Sequence, residues 1–200
     1  MGARSVWTTV GSAAFALCVA SAVSAGSPPA LSLDVGKTGA ISGPYTDGGI
    51  SLGLGASWRV EEAPWAVPIR FGVMAYFDDM GSHVDDLVDG SGNYIGLATT
   101  GHQAVFGGAF RLDYEPSLRM SWKPYASGTW GYYRIENDVR GVSAGGVSAP
   151  GFSLGAGIGH HLYEGHSIGL VVRYHRLFDD VTGRYVSGAL EWGWRSGSGR

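Results

Sequence analysis

The sequence has little of what soluble enzymes usually contain. Charged residues make up 16% of the 200 residues, below the usual quarter, and there is one cysteine. The 14 basic residues and the formal net charge of −3 leave no basic surplus for binding nucleic acid. After Gly26 no apolar run reaches the roughly 18 residues that a membrane-spanning helix needs. These shortages argue against a soluble α-helical or α/β enzyme, a nucleic-acid-binding protein and a helical membrane protein.

Glycine and aromatic residues are present in excess instead. The chain holds 34 glycines, more than twice the average usage, and 12% of its residues are aromatic. The hydrophobic fraction of 44% is too high for a disordered chain, and the glycines follow no collagen period. The composition therefore predicts a glycine-rich and aromatic-rich β protein.

The first 25 residues have the pattern of a secretory signal peptide. Arg4 gives a positive start, a small apolar stretch runs from Val10 to Ala22, and Ala25 ends an A-x-A-like site. The apolar stretch is too short for a membrane anchor, which is the alternative. We expect residues 1–25 to be removed, together with Cys18, and residues 26–200 to form one domain with strands within 31–195 and a short tail at 196–200. The mature domain then holds no disulfide.

Strict alternation of apolar and small residues recurs along the mature chain. From Ile50 to Val60 every even position is apolar and every odd one is small or charged, which gives a strand one apolar and one polar face. Each such segment is near the 9–11 residues that a tilted strand needs to cross a bilayer. Eight segments share this texture: 31–42, 50–60, 67–78, 103–115, 123–136, 151–163, 166–178 and 184–195.

The length of these segments decides which face meets lipid. Soluble strands usually run to about five or six residues, whereas these are longer and carry charges on their small face. An eight-stranded membrane barrel places such charges in its lumen and its bulky apolar residues against lipid. We therefore predict an all-β fold, an eight-stranded antiparallel up-and-down transmembrane β-barrel. A soluble periplasmic ligand-binding barrel remains the alternative.

The connections predict an orientation. With the amino end in the periplasm, the connections 43–48, 78–103, 136–150 and 178–184 face outward and the shorter 61–66, 116–123 and 163–166 face the periplasm. Aromatic residues near the periplasmic strand ends suit an interfacial girdle: Trp58, Trp65, Tyr114, Trp122, Tyr125, Trp192 and Trp194. In the fifth strand either face could be apolar, and we expect Tyr125 and Tyr133 to point outward.

Repeated sequence patterns in the chain resemble those of a known family. Examples are Leu-Gly-Leu-Gly-Ala-Ser-Trp-Arg from Leu52 and Phe-Gly-Gly-Ala-Phe-Arg-Leu-Asp-Tyr from Phe106. Over 31–195 the chain resembles the OmpA/OmpX-like eight-stranded outer-membrane barrels of Gram-negative bacteria. The resemblance implies the cell outer membrane as location, and outer-membrane lipid, lipopolysaccharide and the barrel assembly machinery as partners. It implies a structural or interaction role in membrane integrity, surface adhesion or a narrow ion path. The last strand departs from the family pattern because Arg195 and the tail follow Trp194.

Charged residues on the small faces predict a network that closes the lumen. Hairpins centred near 45–46, 64, 90–91 and 182 would place Asp34 near Arg59, Arg59 near Arg70, Arg70 near Arg111, and Arg173 near Glu191. Three arginines beside one aspartate would repel, so further carboxylates must supply counter-charge. The predicted network consists of Asp34, Arg59, Arg70, Arg111, Asp113, Arg173 and Glu191.

The longest predicted external loop is acidic, which would favour cations at the barrel mouth. Its carboxylates are Asp78, Asp79, Asp85, Asp86 and Asp89. The run from Asp85 partly matches a calcium loop, but Leu87 and Gly96 stand at ligand positions, and we expect a solvated loop.

Histidines near the sixth and seventh strands suggest chemistry that the pattern does not support. His160 and His161 are adjacent and so point to opposite faces of a strand, which disfavours a shared metal. A lipid A deacylase, an eight-stranded barrel enzyme with a lipid-facing His/Ser pair, is the enzymatic alternative. However, Arg176, Leu177 and Phe178 follow His175 where that family has its serine, and parity turns His175 inward. We expect no catalytic residues, no metal, no cofactor and no nucleic-acid partner, and the sequence names no external ligand.

Overall fold

The computed structural model describes residues 29–42, 48–59, 69–116, 119–139, 142–163, 165–178 and 183–195. The predicted signal peptide at 1–25, the turn at 61–66 and the tail at 196–200 lie outside these ranges. Within them no helix is long and apolar enough to cross a membrane.

Eight antiparallel strands form a closed barrel in simple chain order, and β1 closes the barrel against β8. The predicted fold class is therefore confirmed. The strands are β1 (Ala30–Ser42), β2 (Ile50–Arg59), β3 (Ile69–Val88), β4 (Tyr94–Tyr114), β5 (Trp122–Val139), β6 (Val142–His161), β7 (His166–Leu177) and β8 (Arg184–Arg195). We call the end at which β1 begins and β8 ends the terminal end, and the opposite one the loop end.

The alternation seen in the sequence becomes an inner and an outer face, because successive side chains of a strand point to opposite sides. Leu54 on β2 is 63% exposed and Val172 on β7 is 61% exposed, whereas the residues that alternate with them along each strand are small, polar or buried. Apolar exposure of this extent suits a surface that lipid covers. The outer face forms an apolar belt that includes Leu31, Leu33, Val35, Leu52, Leu54, Leu112, Leu154, Ile158, Ile168, Leu170, Val172 and Leu190.

Aromatic side chains mark both borders of the belt. At the terminal end Tyr114, Trp122, Trp192 and Trp194 are exposed, as predicted, and Trp58 stacks on Phe71. Trp65 lies outside the described residues. Towards the loop end a second group of ring contacts joins Trp130 with Phe178, Phe152 with Phe178, and Phe77 with Phe106.

Four strands are longer than the alternation predicts. The stretch 78–103, predicted as an external loop, is instead a hairpin in which β3 reaches Val88 and β4 starts at Tyr94. Its turn is closed by the Asp89 carboxylate, which accepts the backbone N–H groups of Ser91 and Asn93 at 2.8 and 2.9 Å. Gly92 adopts φ 83°, which favours glycine.

The predicted loop 136–150 is also strand, since β5 ends at Val139 and β6 begins at Val142. Pairing of β2 with β3 stops at Asp78, and pairing of β6 with β7 stops at Gly151. Towards the loop end of these points, β3, β4, β5 and β6 continue as a short four-stranded sheet, and beyond the His102–Asp138 pair the β3–β4 hairpin continues as two strands to its turn. We call this region the extension.

The predicted facing of the fifth strand was wrong. Tyr133 is 0% exposed inside the barrel, and Tyr125 lines the lumen at the terminal end. Glycines on the neighbouring strands make room for these rings: a Cβ at Gly107 would lie 2.2 Å from the Tyr133 ring, and one at Gly157 would lie 2.5 Å from the Tyr125 ring. The outer face of β5 carries Ala126, Gly128, Trp130 and Tyr132 instead.

Candidate functional site

Two arginines and three carboxylates form an ion-pair network inside the barrel. Arg111 projects from β4 and donates to Asp113 at 2.8 Å and, across the lumen, to Glu191 on β8 at 2.9 Å. Arg173 on β7 pairs with Asp34 on β1 at 2.7 Å and with Glu191 at 3.4 Å. Because Arg111 also donates to Ser32 on β1 at 3.2 Å, its side chain crosses the lumen. We call the two arginines and three carboxylates the lumenal network.

The strand registers explain which predicted members meet. Asp34 is opposite Glu191 in the closing β1–β8 pair and opposite Gly53 in the first hairpin. The predicted pairing of Asp34 with Arg59 is therefore wrong. Arg59 does lie opposite Arg70, as predicted, but Arg70 lies opposite Asp113 and not Arg111. Glu191 lies opposite Gly169, and the long Arg173 side chain still reaches it.

Arg59 and Arg70 belong to the terminal mouth and not to the lumenal network. Arg70 pairs with Glu115 at 3.3 Å, immediately after β4 ends. Arg59 is exposed and forms no ion pair with any residue that the structure describes. Glu115 was not among the predicted charged residues, although it ends the predicted segment 103–115 and continues the charged face of Arg111 and Asp113.

A second polar cluster fills the lumen nearer the loop end. Asp78 was predicted to lie in an exposed acidic loop, but its side chain is 0% exposed. It accepts hydrogen bonds from Ser51 at 2.6 Å and from the Tyr185 hydroxyl at 2.7 Å. Asp78 points inward because it shares the parity of Met74 and Tyr76 on β3, a periodicity that the sequence already contains.

His175 points into this cluster, as its parity predicts. Its ring stacks on Tyr185 at 4.3 Å between centroids and meets Tyr76 edge-on at 5.8 Å. Its Nε2 lies 2.9 Å from the Ser187 hydroxyl oxygen. The His175 and Ser187 side chains are both enclosed, with exposures of 0% and 2%. This His/Ser pair was not foreseen, although both residues occupy inner-face positions of neighbouring strands.

The remaining predicted acidic residues lie in the extension. Asp79 accepts the backbone N–H of Gly81 at 2.7 Å, and Asp89 closes the hairpin turn. Hydrogen bonds from the backbone and side chain of Asn93 and from the backbone of Ser91 hold the pKa of Asp89 below its usual range. Asp85 and Asp86 lie in β3, and their side chains lie outside the described part of the structure.

The other histidines whose contacts are described lie at the terminal end, and each contacts a different partner. His160 Nδ1 lies 2.8 Å from the Ser121 carbonyl, His161 Nε2 lies 3.2 Å from Glu115, and His166 stacks on Trp192. Among the described residues no three His, Cys, Asp or Glu side chains are grouped so that they could hold a metal ion.

The arrangement as a whole is a lumen closed by side chains. An eight-stranded barrel has an interior only wide enough for its own side chains. Here the lumenal network spans that interior on one level, and the Asp78–Tyr185–His175 cluster, with Tyr133 and Met80, fills it on another.

Solved structures similar in fold to this chain include a major outer membrane protein. Neisserial surface protein A matches 84% of this chain and 95% of its own, with 12% identity and a TM-score of 0.58. A major outer membrane protein from Thermus thermophilus matches 84% of this chain and 99% of its own, with 15% identity and a TM-score of 0.50. The chain has the fold of the eight-stranded outer-membrane barrels. This agrees with the resemblance found in the sequence, and an outer-membrane location agrees with both the fold and the apolar belt.

The outer membrane enzyme PagL also matches, over 82% of this chain and 98% of its own, with 18% identity and a TM-score of 0.47. No protein-family model matches the chain, and no curated protein matches it.

Proposed function

We propose that this chain is a closed outer-membrane anchor that presents its extension at the cell surface to an external partner. The observation that carries the proposal is that four neighbouring strands continue past the apolar belt above a filled lumen. From Asp78 to Val88, β3 advances roughly 30 Å along the strand at about 3.3 Å per residue. Strand of that length beyond the belt contributes nothing to crossing the bilayer, so it is available for contact with other molecules.

The filled lumen argues against a solute channel. Arg111 reaches from β4 to residues on β1 and β8, and its contacts with Asp113, Ser32 and Glu191 lie inside the barrel. Opening a path would require breaking these pairs in a poorly solvated interior, which is costly. A transport role for the resting barrel is therefore disfavoured.

The extension carries features of a binding surface. Tyr94 and Ile95, next to the hairpin turn, are 62% and 63% exposed. Because the Asp89 hydrogen bonds fix the turn, these side chains are presented from an ordered backbone, which lowers the entropy cost of binding. Between 79 and 104 the sequence holds four aspartates and neither lysine nor arginine. A partner with a basic surface is the complementary one.

We propose no catalytic step for the barrel. A lipid-modifying enzyme needs its nucleophile where lipid can reach it, and the His175–Ser187 pair faces the lumen and is enclosed. The apolar belt supports outer-membrane lipid and lipopolysaccharide as the proposed surroundings of the anchor, and the barrel assembly machinery as the proposed partner that inserts it.

Adhesion of bacteria that express the protein tests the role of the extension. Cells that express the wild type should bind a polylysine-coated surface better than vector-only cells do. They should not bind a heparin-coated surface. A variant with residues 84–100 replaced by Asn-Gly, which joins β3 and β4 through a two-residue turn at the His83–Gly101 pair, should lose this binding. The double variant Tyr94→Ser/Ile95→Ser keeps the hairpin and should lose part of the binding to polylysine.

The migration shift between unboiled and boiled samples on a gel shows that each variant still folds. Equal adhesion of the wild type and the hairpin-shortened variant would contradict the proposal. Large single-channel conductance by the wild type in planar bilayers would contradict it as well, and altered lipid A acylation in expressing cells would favour the enzymatic alternative.

A further inference from the structure

The terminal end of the lumen opens into two adjoining cavities of about 180 and 140 Å³. They lie below the lumenal network and share part of their walls, in which Arg70, Glu115, Lys123, His161 and Arg195 recur. We call this region the terminal mouth. It plays no part in the proposed surface role of the extension, which is at the other end of the barrel.

Positive charge exceeds negative charge on these walls. Arg59, Lys123 and Arg195 line the cavities and form no ion pair with any described residue. Arg59 and Arg195 both repel the Arg70 guanidinium. Three described carboxylates line the cavities. Asp113 and Glu191 pair with Arg111, and Glu115 pairs with Arg70.

Glu115 shows how this environment acts on an oxyanion. Its side chain is 24% exposed, and burial by itself would raise its pKa. The charge of Arg70, the hydrogen bond and charge of His161 and the charge of Lys123 outweigh burial, so the pKa of Glu115 lies below its usual range. The terminal mouth therefore stabilises one negative charge, and Arg59, Lys123 and Arg195 provide positive charge for a second.

We infer that the terminal mouth binds a phosphate group through Arg59, Lys123 and Arg195. Guanidinium groups match the oxygens of a phosphate in a two-pronged geometry, and lysine adds a compact point charge. The cavity wall also includes Leu31 and Trp194, which are exposed residues of the belt border. Lipid headgroups lie at that level, so a phospholipid phosphate and a free phosphate share this site chemistry.

Binding of inorganic phosphate to the full mature chain, folded in a phosphate-free non-ionic detergent, tests the inference by ³¹P line broadening. The double variant Arg59→Gln/Lys123→Gln should weaken binding about ten-fold, which corresponds to about 1.4 kcal/mol. Neither cation has an ion-pair partner among the described residues, so the barrel should keep its fold, and the gel shift on boiling verifies this. Arg119→Gln, which removes one positive charge where the double variant removes two, is the control because Arg119 is exposed at the same end and does not line the cavities.

The source of the phosphate is identified by retention of phosphatidylglycerol, measured by native mass spectrometry from bilayer nanodiscs. Retention by the wild type that is reduced in the double variant and displaced by inorganic phosphate assigns a lipid headgroup. Phosphate binding without lipid retention assigns a soluble phosphate, and both results support the site.

Two results would overturn the inference. One is equal phosphate affinity for the double variant and Arg119→Gln, since non-specific attraction would then explain the binding. The other is phosphate binding that appears only after Glu61→Gln/Glu62→Gln, since the chain's own carboxylates would then occupy the cations.

Discussion

Replacing Arg173 by Met should destabilise the barrel far more than replacing Glu191 of the lumenal network. The Arg173 side chain is 2% exposed and pairs with Asp34, which is 1% exposed, at 2.7 Å. Methionine keeps most of the side-chain volume but leaves the Asp34 carboxylate buried without a cation. Removal of one partner of a buried pair costs about 3–5 kcal/mol. We expect a loss of that size in the free energy of unfolding.

Glu191→Gln is the informative comparison. The network holds Arg111 and Arg173 against Asp34, Asp113 and Glu191, so the carboxylates are one in excess. After Glu191→Gln each arginine still has one carboxylate, at 2.8 and 2.7 Å. The loss of the Glu191 charge then weakens the network by about as much as the loss of one hydrogen bond, so the expected cost in unfolding free energy is about 1 kcal/mol.

Urea unfolding of the folded barrel in lipid vesicles, followed by tryptophan fluorescence, measures these differences. The double variant Arg173→Met/Asp34→Asn should recover part of the loss, because it removes the uncompensated charge. An equal cost for Glu191→Gln and Arg173→Met, or a cost below about 1 kcal/mol for Arg173→Met, would show that charge balance does not stabilise the lumenal network.

Three further predictions concern the belt, the second lumenal cluster and the hairpin turn. Leu54→Arg should cost about 2–4 kcal/mol of unfolding free energy in vesicles, with Leu54→Ala as control, because an arginine would face lipid. Tyr185→Phe should cost about 1–3 kcal/mol in the same assay, because buried Asp78 loses one of its two hydrogen-bond donors. Since the pKa of Asp89 is lowered, its stabilisation of the turn is present above the usual value of 3.8 and is lost as the pH falls through the lowered pKa. Amide exchange at Asn93 should therefore lose protection on acidification in the wild type, and Asp89→Asn should remove this pH dependence.

The facing of most strands was predictable, whereas their register was not. A period of two fixes which side of the sheet a residue faces, and any even shift preserves it. Asp34 lies opposite Gly53 and not Arg59, and Arg70 lies opposite Asp113 and not Arg111, and both differences are even. The five charged residues of the lumenal network were therefore predicted to point inward, as they do, while their partners depended on turn lengths that alternation does not contain.

The extension was not predictable from alternation because the physical cause of alternation ends at the belt. Within residues 79–88 of β3, Met80 still packs in the lumenal core, and the strand then continues past the belt to Val88. Their sequence holds three aspartates, one glycine and one serine in ten residues, which is typical of a loop. They form strand because β4 continues alongside them and satisfies their backbone hydrogen bonds, with register shifts after Asp79, His83 and Leu87.

In the fifth strand, the residues on the neighbouring strands determine which side chains fill the lumen, and the pattern along the strand itself does not. Along β5 both faces carry aromatic residues, so its own pattern gives no preference. The inner faces of β4 and β6 provide Gly107 and Gly157, at which any larger side chain would collide with the Tyr133 or Tyr125 ring. A tyrosine turned outward would leave these positions unfilled, and cavities in a packed interior are destabilising. Small residues on neighbouring strands thus determine where the large ones point, which also explains why a glycine-rich barrel has a closed lumen.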